Sequence, residues 1–65
     1  MRIDRTKLRI AMLRAGLETN RELSKTSGVN PNTLSAITNG KTCVMATIQK
    51  LAYALNVEPE TLLED

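Results

Sequence analysis

Histidine, tryptophan and phenylalanine are missing from this chain, which holds one tyrosine, Tyr53, and one cysteine, Cys43. With no imidazole and a single thiol there is no ligand set for zinc and no internal disulfide, so Cys43 reads as a reduced, half-buried thiol. The same absences remove the general base and the activated nucleophile of an enzyme, and no cofactor is expected. So few aromatics leave none of the stacking platforms that single-strand binders and RNA-recognition sheets use. They also leave the core to Leu, Ile, Val, Met and Ala. Glycine occurs three times, as Gly16, Gly28 and Gly40, each at the end of a helical stretch and none in a phosphate-cradling loop. Apolar runs such as Ile10 to Leu13 fall far short of the roughly 20 residues that span a membrane. The start Met1-Arg2-Ile3-Asp4 lacks the apolar segment of a signal peptide, which makes the cytoplasm the expected compartment.

What remains is ordinary globular composition, 42% hydrophobic and 25% charged over 65 residues, which we read as one domain over residues 1–65. A domain this small buries only about 60% of the surface of its unfolded chain, so stability is marginal or assisted by oligomerisation. It leaves no room for a separate small-molecule pocket. The net charge of +2 is unevenly placed. From Met1 to Asn30 seven basic residues stand against three acidic ones, a net +4, and from Pro31 onward two basic stand against four acidic, a net −2. The N-terminal half therefore carries the field that attracts an anion, with the acidic C-terminus expected to point elsewhere. A merely solvated charged face is the plain alternative.

Boundary residues divide the chain into five short helices, with no period-two strand pattern. The first follows Asp4 as N-cap and runs to about Ala15, with Gly16 as C-terminal cap and Leu8, Ala11, Met12 and Ala15 on one face. The second starts at Thr19, where Thr19 and Glu22 form a capping box, turns Leu23 inward and ends at Gly28. The third is capped by Asn30, has Pro31 at its first position and closes at Gly40. The fourth spans about Met45 to Leu55, burying Ile48, Leu51, Ala52 and Leu55, with Asn56 as C-cap. A last helical turn near Glu58 and Pro59 carries Leu62 and Leu63.

Two capped helices joined by three residues, over about 19–40, form a helix-turn-helix pattern, in which the second helix stands out as a rod that fits a B-DNA major groove. At 100° per residue Leu34 and Ile37 share one face of that rod, Asn32, Ser35, Ala36 and Asn39 share the other, and Thr33 sits on the flank. The outer face is small, uncharged and rich in hydrogen-bonding groups. An asparagine amide pairs bidentately with adenine, and threonine or alanine methyls meet the thymine methyl. Asn30, Asn32, Thr33, Ser35 and Ala36 are therefore the base-reading candidates, Asn32 foremost. Thr19, Asn20 and Arg21 at the second helix start, with Asn39, Lys41 and Thr42 after the third, are the phosphate-binding candidates. Each has a structural alternative: caps for Asn30, Thr19 and Asn39, a solvent face for Asn32, Ser35 and Ala36, a solvated charge for Lys41.

The stretches GLETNRELSKTSGVNPNTLSAITNGK and IQKLAYALNV resemble the Cro and lambda-repressor-like helix-turn-helix domain, the xenobiotic-response-element family. The resemblance rests on Glu22-Leu23, Gly28-Val29, Thr33-Leu34, Ile37 and Asn39-Gly40-Lys41, and extends over nearly the whole chain. It implies an all-α, compact five-helix bundle that binds double-stranded operator DNA, usually as a homodimer on a palindromic site. Three positions depart from the family pattern: Asn20 stands where a glutamine is common, and Pro31 and Ala36 stand where long polar side chains are frequent. With no charge from Asn30 through Asn39, specificity leans on Asn32, methyl contacts and DNA shape.

The leading function is thus a sequence-specific transcriptional regulator of repressor type. Its rival is a protein-interaction module, such as an antitoxin or adaptor, docking through the same helical face.

Overall fold

Asp4 starts the first helix: its carboxylate accepts from the amides of Thr6 at 2.9 Å and Lys7 at 3.1 Å, two of the N–H groups that a helix start leaves without partners. In the computed structural model, which describes residues 1–65, α1 runs Arg5–Arg14, α2 Asn20–Ser27, α3 Pro31–Thr38 and α4 Met45–Leu55. The chain closes with a 3-10 turn over Pro59–Leu62. The fold is all-helical, with four α-helices where five helices were expected. The last element is a single turn, with no side-chain cap from Glu58 and with Leu63 extended at φ −86, ψ 150.

Residues in the left-handed conformation end the helices. Gly40, at φ +92, lets the amide of Lys41 return to the carbonyl of Ala36 at 3.1 Å, and its own amide donates to Ile37 at 3.0 Å. This is the double closure of a Schellman motif. Asn56 does the same for α4 at φ 57, with Val57 donating to the carbonyl of Ala52 at 3.0 Å. At the start of α2 the hydroxyl of Thr19 accepts from the Glu22 amide at 3.2 Å, as the capping box requires. The returning arm differs: the Glu22 carboxylate accepts from the amide of Glu18, at 3.2 Å, rather than from that of Thr19.

The core is one cluster of 13 buried residues. Leu8, Ala11 and Met12 enter it from α1, Leu23 from α2, Leu34 and Ile37 from α3, and Ile48, Leu51, Ala52 and Leu55 from α4. Leu62 comes from the final turn, and Leu63 packs only at the edge. Ala15, expected on the inner face of α1, is instead its exposed C-cap. Two core residues lie outside any helix. Val29 plugs the α2–α3 turn, and Ile3 forms an isolated antiparallel bridge with Leu63.

That bridge ties the two ends of the chain together, with the Asp4 amide donating to Leu62 at 2.8 Å and the Glu64 amide to Arg2 at 3.1 Å. It also corrects the expected separation of charge. The acidic end folds onto the basic start of α1, where Lys7 donates to the carbonyl of Leu63 at 3.0 Å and pairs with Asp65 at 3.0 Å. Because the fully exposed Asp65 is solvated, the pair orients the tail more than it stabilises the fold.

Leu51, fully buried on α4, is expected to cost about 2–5 kcal/mol on Leu51→Ala by equilibrium urea unfolding. Leu13→Ala, on the exposed side of α1, should stay within about 0.5 kcal/mol of the parent. Similar losses at the two positions would contradict this division between core and surface.

Candidate nucleic-acid interface

The turn between α2 and α3 is Gly28-Val29-Asn30, and each residue has a separate task. Gly28 ends α2 at φ +76, its amide donating to the Ser24 carbonyl at 2.8 Å. A Cβ at Gly28 would meet nothing within 4 Å, so glycine is required by backbone conformation and not by space. Val29 is held at both of its backbone groups: its carbonyl accepts from the Ser24 hydroxyl at 2.6 Å and its amide donates to the Ser27 hydroxyl at 3.2 Å. Its side chain is buried between the helices. Asn30 then caps α3, its side-chain oxygen accepting from the Asn32 amide at 2.8 Å. These bonds fix the angle at which α3 leaves α2.

On α3, Leu34 and Ile37 are buried while Asn30, Pro31, Asn32, Thr33 and Ser35 are exposed. Asn32, Thr33 and Ser35 therefore present amide and hydroxyl groups to solvent from a helix with no charged residue. Asn30 has committed its oxygen to the cap, leaving its NH2 as the outward donor. Ala36, expected on the outer face, is only partly exposed.

The phosphate candidates fall into two groups, one before α3 along the chain and one after it. Thr19, Asn20 and Arg21 form the start of α2, where Thr19 and Arg21 are exposed and Asn20 is half-buried. Asn39, Lys41 and Thr42 lie in the exposed segment after α3. The structure adds residues that the sequence reading passed over. Arg5, Arg9 and Thr6 of α1 line an open cleft with Asn20 and Thr38. Arg5 donates to the Thr38 carbonyl at 3.1 Å, which seats a guanidinium at the C-terminal end of α3 and complements that end of the helix dipole. A neighbouring concavity continues from Arg5 to Asn39 and Gly40. Residues at the start of α2 and at the end of α3 are thus linked by basic side chains of α1. The basic composition of α1 was legible in sequence, but nothing there told which end of α3 it meets.

Cys43 is half-buried, and burial raises its thiol pKa while the positive charge of the chain's amino terminus acts in the opposite direction. The thiol is therefore protonated near neutrality and poorly nucleophilic. No helix is long and apolar enough to cross a membrane.

A helix-turn-helix with a rigid turn, a protruding polar second helix and cationic flanks defines a DNA-binding class of protein. The family model of the Cro/C1-type HTH DNA-binding domain matches residues 7–65, and the chain belongs to that family. No curated protein and no solved structure matches it. Family membership supports a regulator that binds double-stranded DNA.

Removing one arm of the turn clamp with Ser24→Ala should cost about 1 kcal/mol in urea unfolding. Gly28→Ala should cost about 1–2 kcal/mol, the strain of a left-handed residue that carries a Cβ. A Gly28→Ala protein as stable as its parent would show that the turn tolerates another backbone conformation.

Proposed function

We propose that residues 1–65 act as one DNA-binding unit of a repressor-type transcriptional regulator, which places α3 in the major groove of its operator. The observation that carries this reading is the split of α3 itself: Leu34 and Ile37 anchor it while Asn32, Thr33 and Ser35 face outward without charge. A helix of this kind reads base edges by hydrogen bonds and methyl contacts, and it leaves affinity to its neighbours. In this assignment Asn30, Asn32, Thr33, Ser35 and Ala36 meet bases. Thr19, Asn20, Arg21, Asn39, Lys41 and Thr42 meet phosphates, joined by Arg5 and Arg9.

The regulator binds as a homodimer on a palindromic site. The Cα atoms of one copy span 24 × 22 × 19 Å, less than one turn of B-DNA, about 34 Å, so one copy addresses a single half-site. Selection of bound duplexes from a random pool tests this reading: the expected consensus is two inverted half-sites about one helical turn apart. An unenriched pool would overturn it.

The absence of charge on α3 also favours the rival reading, a protein-docking module. A salt titration separates the two, since a protein that displaces counterions from several phosphates loses affinity steeply as salt rises. Binding that is absent or flat with salt selects the rival.

On the selected site, Asn32→Ala is expected to cost about 1–3 kcal/mol and to relax preference at one base position. Equal weakening on every sequence would make Asn32 a positioning contact. Lys41→Ala and Arg9→Ala should each weaken binding evenly across sequences and make the slope of log K against log salt shallower by about 1. An unchanged slope would place that residue away from the DNA backbone.

A further inference from the structure

Two concavities flank the first turn of α1, and they differ in charge. The cleft that joins Arg5 and Arg9 to Asn20 has no acidic residue in its lining. Its neighbour, about 340 Å³ in volume, sets Arg2 and Arg5 against Asp4 and Glu64, two positive charges against two negative, and reaches Asn39 and Gly40 after α3. Asp4 has a structural task there, since its carboxylate accepts from the α1 amides of Thr6 and Lys7. Glu64 has none of this kind. It is exposed and forms no ion pair, Lys7–Asp65 being the one pair within the chain.

The backbone at Glu64 is nevertheless held in place. Its amide donates to the Arg2 carbonyl at 3.1 Å, the Asp4 amide donates to that of Leu62 at 2.8 Å, and Lys7 Nζ donates to that of Leu63 at 3.0 Å. Leu62, fully buried, anchors the segment to the core. A carboxylate kept in one concavity with two guanidinium groups stands where a phosphate would be drawn. Within a Debye length, about 10 Å at 0.1 M salt, it offsets much of their attraction for a polyanion.

We propose that Arg2 is a phosphate-binding residue of the DNA interface and that Glu64 is an internal phosphate mimic that masks it. The inference rests on the DNA-binding reading above and adds to it a contact and a restraint. Attraction for the DNA backbone is then lopsided: the cleft of Arg9 and Asn20 is open to phosphate, whereas the side of Asn39 and Gly40 is held back by the chain's own carboxylate.

Fluorescence anisotropy with a labelled duplex of arbitrary sequence tests the proposal, because phosphate contacts act on any sequence. Circular dichroism verifies the fold of each variant. At 0.1 M salt Glu64→Gln is expected to bind roughly two- to fivefold more tightly than the parent, the scale of one exposed charge pair, with the gain shrinking as salt rises. Glu60→Gln removes the same charge from the final turn, outside both concavities. It should change affinity by less than about 1.5-fold, because screening confines the effect of an exposed charge to its neighbourhood. Arg2→Gln alone should weaken binding by less than about twofold, yet in the Glu64→Gln background it should remove the gain, the non-additivity expected of two groups that act on each other. A Glu64→Gln protein that binds like its parent, or a Glu60→Gln protein that gains as much, would overturn the masking. A gain that survives Arg2→Gln would overturn the assignment of Arg2. Absence of duplex binding in parent and Glu64→Gln alike would overturn the DNA reading itself and this inference with it, an outcome distinct from a parent that binds and a variant that matches it.

Discussion

The backbone of Val29 is gripped from both sides by α2, its carbonyl by the hydroxyl of Ser24 and its amide by that of Ser27. A three-residue connection has few dihedral angles to vary, and with Gly28 in the left-handed region and Val29 buried almost none remain free. The direction of α3 follows from this clamp. So does the exposure of Asn32 and Ser35, because a rotation of α3 that hid them would pull Leu34 and Ile37 out of the core. The two serines couple a local hydrogen-bond pattern to a functional surface.

The helix that the clamp presents is unusual in what it leaves out. α3 has no charge, so the electrostatic attraction for a polyanion has to come from elsewhere, and the fold brings it from α1. Arg5 is seated on the last carbonyl of α3 and lines the cleft shared with Arg9 and Asn20. In the proposed complex, separating hydrogen-bonding groups from charge in this way would divide recognition from attraction, with small polar side chains at the bases and cations at the phosphates. The acidic tail tempers that field. It folds onto the start of α1, where Asp65 meets Lys7 and Glu64 borders the concavity shared with Arg2 and Arg5.

Much of the fold was legible because its boundaries rest on local chemistry. Asp4, Thr19 and Asn30 accept from helix-start amides, and Gly16, Gly28, Gly40 and Asn56 adopt positive φ at helix ends. These preferences act within a few residues, so the linear sequence contains them. The apolar spacing of α4 was legible for the same reason, and Ile48, Leu51, Ala52 and Leu55 are all buried. Errors appeared where a distant segment intervened. Ile3 is a core residue only because Leu63 lies beside it. Two further departures are local: Ala36, expected outside, is partly covered, and Ala15, expected inside, is the exposed C-cap of α1.

The sequence by itself determined the helices, their caps, the tight turn and the polar composition of α3, since each depends on contacts between residues close along the chain. It also carried the family resemblance that the match over residues 7–65 established. Only the tertiary structure decided which side chains flank α3. The placement of Arg5 against Thr38, 33 positions away, depends on how α1 crosses the bundle, and so does the return of the acidic tail to Lys7. Electrostatic neighbourhoods of this kind arise from packing between helices, where no periodicity or capping rule records which ends will meet.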